Sequence, residues 1–346
     1  MLFFIITTGM CNLNCKYCGG SFPEKYVPYR IKYELNRLRD FIEQDKDAVI
    51  AFYGGEPLLN YQFIKNVMDK VEAKKFVIQT NGLLYEKLSM DYWQKFDAVL
   101  LSIDGRREVT DYYRGMGVYN KVIKAALWLR KNDYRGDLIA RMTASERTDI
   151  YKDVVHLLNL KIFDHIHWQL DVGWSDLWKN FDNWCEYNYK PGLRALVKLW
   201  IEDLKNESVL GIVPFLGIIK RLLYNGPKPP CGAGIESFTV LPNGKILACP
   251  IAYNVKWAIV GDLENNSPSN IKKVEIGGFC NNCKYFEICG GRCLYVNREG
   301  LWRDKIKKVC DVTIFTINLI KENIKYIKNF EKVIYPNFNN STEIIP

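Results

Sequence analysis

The stretch Leu2-Phe3-Phe4-Ile5-Ile6-Thr7-Thr8-Gly9-Met10-Cys11-Asn12-Leu13-Asn14-Cys15-Lys16-Tyr17-Cys18 decides how the rest of the chain is read. Positions 2–7 are apolar or β-branched and spell a short buried strand. Positions 11–18 carry three cysteines in the spacing C-x3-C-x2-C, so the thiols stand in the loop that leaves this strand. Three thiolates on one tight loop suit three irons of a [4Fe–4S] cube and leave the fourth iron open to an outside ligand. A structural zinc ion would ask for a fourth protein ligand. No further Cys or His lies nearby in the sequence.

Outward from this strand the pattern alternates. Apolar runs at 48–53, 76–80, 97–103, 137–143 and 165–170 read as further strands, and helical spacing covers 30–44, 61–71, 118–131 and 150–158. Leu35, Leu38, Phe41 and Ile42 share one face of the first of these helices. Six strand–helix alternations with short connections predict an α/β fold on a parallel sheet. Parallel strands are buried on both faces, which accounts for their nearly continuous apolar character. Polar and glycine residues gather at their C-terminal ends, where such sheets bind ligands.

Between 173 and 230 the character changes. Trp174, Trp178, Trp184 and Trp200 fall in this stretch, with amphipathic helices expected at 191–205 and 213–224 and Pro191 and Pro214 in their first turns. The tryptophans read as packing groups of a helical bridge. A cysteine-rich segment then runs from Cys231 to Cys310, a terminal helix is expected at 313–329, and 338–346 reads as a frayed tail.

Composition narrows the class. The chain has 346 residues, 48% hydrophobic and 25% charged, enough for a core of normal size. The net charge of +9 comes without a block of five like charges or an Arg-rich arm, which argues against a nucleic-acid partner. The N-terminal apolar run lacks a basic flank, and no run approaches the roughly 18 apolar residues of a membrane span. The expectation is a cytoplasmic protein. In a reducing cytosol its eleven cysteines are metal ligands rather than disulfides.

Further polar segments sit at successive strand ends. Gly54-Gly55-Glu56-Pro57 follows the second strand: two glycines let backbone approach a ligand, and a carboxylate can accept hydrogen bonds from an ammonium group. Gln79-Thr80-Asn81-Gly82 ends the third, Ser102-Ile103-Asp104-Gly105 the fourth, and Arg141 the fifth. Asp111 and Arg114 follow in D-x2-R spacing. Gln169 and Asp171 mark the sixth strand. With an aromatic, Tyr17, before the third cysteine, this set closely resembles the radical S-adenosylmethionine (SAM) superfamily. The resemblance implies a partial (β/α)6 TIM-type barrel and a [4Fe–4S] cluster on Cys11, Cys15 and Cys18, with SAM on its open iron. Reductive cleavage of SAM would give a 5′-deoxyadenosyl radical that takes hydrogen from a substrate. Glu56 and its neighbours Gly54, Gly55 and Pro57 would hold the methionine amino group. Tyr17, Asn81, Ser102, Asp104 and Arg114 would lie in the same SAM or substrate site, and Arg141 could pair with SAM's carboxylate.

Cys231, Cys249, Cys280, Cys283, Cys289, Cys293 and Cys310 follow the pattern C-x12-G-x4-C, then C-x2-C-x5-C-x3-C, then C. Asn243-Gly244 between apolar runs marks a β-hairpin that carries Cys249 back toward Cys231. A zinc ribbon would leave three of the seven unexplained. Two complete cubes would need eight ligands, so one has an open or non-cysteine position. The arrangement resembles the SPASM domain, which carries auxiliary clusters. By that resemblance Cys280, Cys283, Cys289 and Cys310 hold an outer cluster, and Cys231, Cys249 and Cys293 an inner one. Cys185 belongs to neither set and reads as a packed thiol, with the missing ligand or a substrate contact as alternatives.

The expected organisation is a barrel over 1–172, a bridge over 173–230, a SPASM domain over 231–311, and a terminal helix and tail over 312–346. The resemblance implies an anaerobic oxidoreductase that modifies a peptide or protein by crosslink or oxidation. Its electrons would come from a donor such as ferredoxin or flavodoxin. With a first strand at Leu2, a leader peptide would be recognised by a separate protein or a basic surface. Two other readings are a small-molecule cofactor precursor as substrate and a sulfatase maturase. The maturase family places an acidic base just after the hairpin cysteine, where this chain has Pro250. A non-enzymatic iron–sulfur electron carrier would not bind SAM.

Overall fold

The computed structural model describes residues 1–173, 177–224, 226–299, 302 and 305–324. Strands β1 (Leu2–Ile6), β2 (Val49–Tyr53), β3 (Lys75–Thr80), β4 (Ala98–Ser102), β5 (Asp137–Ala144) and β6 (His165–Leu170) lie side by side in chain order, all parallel. This is the parallel α/β core of a partial TIM-type barrel. Side-chain alternation splits its apolar residues between two faces. Phe3, Ile5, Ile50, Phe52, Val99 and Leu101 pack with helix residues such as Leu38, Phe41 and Ile64, while Leu2, Phe4, Val49, Ala51, Val77 and Leu100 form a separate inner cluster. Both faces are therefore dry, as parallel strands require.

The sheet continues across the boundary expected at residue 231. Strand β7 (Ser237–Val240) pairs parallel with β1, and β8 (Lys245–Leu247) and β9 (Ile259–Asp262) extend it antiparallel to nine strands. The hairpin turn at Asn243-Gly244 forms as expected, with Gly244 at φ 83°. Its partner strand was not legible, because edge pairing between strands about 230 residues apart leaves no periodic signal.

Three helices depart from their expected bounds. The first is Leu35–Ile42, not 30–44. Glu34 is extended, and Lys32 N–H donates to the Pro242 carbonyl at 2.7 Å, so tertiary contact overrides helical spacing. Pro191 stands in the first turn of Lys190–Lys205 as expected, but that helix continues an earlier one. Phe181–Trp184 runs through a π turn, Cys185–Tyr189, into Lys190–Lys205, and the Lys190 N–H donates to the Cys185 carbonyl. The wider turn accommodates a proline that has no N–H of its own. The terminal helix is Ile306–Asn323, beginning before 313, and so carries Cys310. Val309, Val312, Thr313, Thr316, Ile317 and Ile320 make its buried face. Pro214 also stands in the first turn of Val213–Leu223. Trp174 and positions 325–329 and 338–346 lie outside the described residues. No helix among those described is long and apolar enough to cross a membrane.

Candidate active site

The cysteine loop is latched to three neighbouring strand ends. Glu56 N–H donates to the Met10 carbonyl at 2.8 Å, Gly55 N–H to the Thr8 carbonyl at 3.1 Å, and Asn81 Nδ2 to Asn12 Oδ1 at 2.8 Å. The Tyr17 hydroxyl donates to Asp104 at 2.9 Å. The glycines of the Gly-Gly-Glu-Pro segment are needed here rather than at a ligand: a Cβ on Gly55 would stand 2.2 Å from the Met10 oxygen, and one on Gly54 would stand 2.4 Å from the Thr8 oxygen. Gly54 also has φ 146°.

Glu56 is buried, and its carboxylate accepts from the Thr80 hydroxyl at 2.6 Å, the Leu58 N–H at 3.0 Å and the Asn81 N–H at 2.8 Å. Burial nevertheless pushes its pKa up to about 7. Asp104 is saturated by Arg114, Tyr17 and the Thr143 N–H at 2.9 Å. Arg141 donates to the Met142 carbonyl at 2.8 Å and to Gln169 Oε1.

One cavity of about 240 Å³ opens at the C-terminal edge of the sheet. Cys11, Cys15, Cys18, Tyr17, Gly54, Gly55, Glu56, Asn81, Ser102, Arg114 and Arg141 line it. Pro57 and Asp104 do not. Pro57 is buried at the start of the following 3-10 turn, and the Asp104 carboxylate is spent on the residues behind the wall. Gln79, Gln169 and Asp171, marked in the sequence only as strand-end residues, line the cavity, as does Arg292, which the sequence did not single out. Arg292 and Cys293 close it from the cysteine-rich side, together with Ile251 and Val296. The sign that could have disclosed Arg292 is a bulky cation set between glycines and cysteines in Gly290-Gly291-Arg292-Cys293.

The thiols suit a cluster in their chemistry. All eleven cysteines are free. Among the described residues no three acidic, Cys or His side chains converge as on a single ion. A cube, by contrast, takes its ligands at separate corners around a space. Leu13 N–H donates to Cys11 Sγ at 3.4 Å, while burial pushes the Cys11 thiol up to about 11. Cys15 is held above its ordinary value chiefly by the hydrogen bond it donates to Cys18, which is drawn down by it.

A second cavity, about 390 Å³, brings together Cys280, Cys283, Cys289 and Cys310. Burial pushes Cys280 up to about 11 and Cys289 to about 12, and the neighbouring thiolates add to both. Iron bound among them would supply the positive charge they lack. Asn297 Nδ2 donates to Cys280 Sγ at 3.4 Å. Cys185 is buried in the π turn, lines neither of these cavities, and is pushed up to about 12 by burial.

A parallel sheet with a three-cysteine loop over its C-terminal edge is the frame of a radical SAM enzyme. Residues 5–157 match the radical SAM superfamily model, so the chain carries a radical SAM domain. It is 25% identical over 329 residues to the cysteine-type anaerobic sulfatase-maturating enzyme of Clostridium perfringens, across 82% of this chain and 85% of that one. The structure of native anSMEcpe with bound AdoMet superposes with a TM-score of 0.69 at 20% identity, over 94% of this chain and 100% of that one. Streptococcus suis SuiB bound to its precursor peptide SuiA gives 0.59 at 17% identity, over 86% and 73%. At these identities the structural likeness speaks for the fold.

Proposed function

We propose that this chain is a peptide- or protein-modifying radical SAM enzyme with two auxiliary clusters. Cys11, Cys15 and Cys18 would hold the catalytic [4Fe–4S] cluster. Cys280, Cys283, Cys289 and Cys310 would hold the outer auxiliary cluster, and Cys231, Cys249 and Cys293 the inner one. Cluster and SAM together supply a 5′-deoxyadenosyl radical, with electrons from a donor such as ferredoxin or flavodoxin. The chain's own residues orient and shield. Glu56, fixed by Thr80 and Asn81, presents a carboxylate toward the SAM amino group, and Arg141 and Ser102 face the remainder of the cofactor. Asp104 and Arg114 hold the cysteine loop through Tyr17.

The observation that carries this reading is a single cavity walled on one side by the cysteine loop and on the other by Arg292, Cys293 and Val296 of the second cysteine region. A substrate seated there touches both halves of the redox machinery. A peptide substrate is favoured because the fold is shared with SuiB, solved with a precursor peptide. A sulfatase-maturase activity is favoured by likeness along 82% of the chain. Against it, Pro250 and then the cavity-lining Ile251 follow Cys249 where that family carries its acidic base.

The test is anaerobic. The reconstituted protein is given SAM, reductant and candidate peptides, including a cysteine-bearing sulfatase peptide, and 5′-deoxyadenosine and peptide mass are read together. Product that disappears when Cys11, Cys15 and Cys18 are changed to Ala supports the reading. Full iron and bound SAM with every peptide unmodified would point to a small-molecule substrate.

A further inference from the structure

Gly290, Gly291 and Arg292 are three successive residues in the left-handed region, at φ 63°, 73° and 59°. The glycines adopt it freely, but a residue with a side chain does so at about 1–2 kcal/mol. The turn leaves no room for a side chain at 291, since a Cβ on Gly291 would stand 2.5 Å from Ile276. It turns the Arg292 side chain inward, where the residue is 6% exposed. Its Nε is buried without a hydrogen-bond partner. A buried, permanently charged group without a counter-ion is costly. Arg292 lines both cavities, standing on the wall between the cysteine-loop site and the Cys280–Cys310 site.

We propose that Arg292 is the fixed counter-charge of the outer auxiliary cluster and sets its reduction potential from the wall it shares with the substrate cavity. The inference rests on the reading that Cys280, Cys283, Cys289 and Cys310 hold a cluster. A cluster with four thiolates is anionic and becomes more so on reduction. A cation held beside it therefore stabilises the reduced state and raises the potential. Arg292 thereby makes the outer site a better acceptor for an electron leaving a substrate in the adjoining cavity.

The test uses the full chain with Cys11, Cys15 and Cys18 changed to Ala, which removes the catalytic cluster's signal. EPR-monitored redox titration follows the signal that a further Cys283→Ala change abolishes. Arg292→Gln should lower that midpoint by at least a tenfold change in the reduced-to-oxidised ratio, about 59 mV for one electron. Arg292→Lys should stay closer to the parent. An unchanged midpoint in Arg292→Gln overturns the proposal. If Arg292→Gln and Arg292→Met both fail to load the outer iron while Arg292→Lys loads it, the counter-charge role stands. If Arg292→Lys fails too, the role is one of shape and the proposal falls. If Cys283→Ala removes neither iron nor signal, the cluster assignment itself fails, independently of Arg292.

Discussion

Arg114 grips Asp104 through two hydrogen bonds, Nε to Oδ2 at 2.8 Å and Nη2 to Oδ1 at 2.7 Å, with both side chains buried. The same carboxylate receives the Tyr17 hydroxyl at 2.9 Å, so the end of β4 is joined directly to the cysteine loop after β1. Breaking such a pair from one side leaves a buried charge alone, at about 3–5 kcal/mol. Asp104→Ala is expected to lose stability on that scale in anaerobic denaturant titration. Tyr17→Phe should lose only about 1 kcal/mol, the net value of one hydrogen bond. The double change Asp104→Ala with Arg114→Ala should cost less than the two singles added, because it leaves no stranded charge.

Gly55→Ala should act on the cysteine loop rather than on SAM directly. The added methyl would meet the Met10 carbonyl, next in sequence to Cys11. The loop must shift, and the expected outcome is loss of iron from the catalytic site alone. Iron analysis would fall by about one cluster's share, and 5′-deoxyadenosine formation would disappear. Normal iron with weakened SAM binding would instead locate the strain at the cofactor.

The legible parts of the chain were those with a local signature. Near-continuous apolar runs marked all six core strands, because a parallel strand must be apolar on both faces. Cysteine spacing disclosed the SPASM resemblance, and it was the resemblance that grouped the four thiols sharing the second cavity. What spacing could not disclose was which polar groups face inward. Asp104 stands at a strand end like its neighbours, yet its carboxylate turns behind the cavity wall to meet Arg114. Arg292 lies among cysteines by sequence, and their spacing does not show that it lines both cavities. The pairing of β7 with β1 likewise depends on a contact remote in sequence.

The cysteines outside the first loop should separate into two kinds. Cys283→Ala opens the second cavity's thiol set and should remove about one cluster's share of iron while SAM binding persists. Cys185→Ala should leave the iron unchanged, since this thiol lines neither of the two described cavities. Its cost is that of a small cavity, about 1 kcal/mol. Equal iron loss in both variants, measured on the same preparation, would show that Cys185 acts as a ligand.

Glu56 gives the chain a pH dependence of defined sign. Its ordinary pKa of 4.5 is raised to about 7, chiefly by burial, against the hydrogen bonds from Thr80, Asn81 and Leu58. The folded state thus holds this proton more tightly than the unfolded chain does. The associated stability is fully present below about 4.5 and is lost as pH rises through about 7. At 1.36 kcal/mol per unit, the difference between these limits is roughly 3 kcal/mol. Glu56→Gln carries no such proton. It also turns an amide N–H toward the Asn81 N–H, a mismatch whose cost does not vary with pH. Wild type should therefore lose stability relative to Glu56→Gln between pH 5 and pH 8, as read from anaerobic denaturation midpoints at matched iron content. Parallel curves for the two proteins across that range would mean that Glu56 is already ionised at pH 5 in the fold, and that its three donors outweigh its burial.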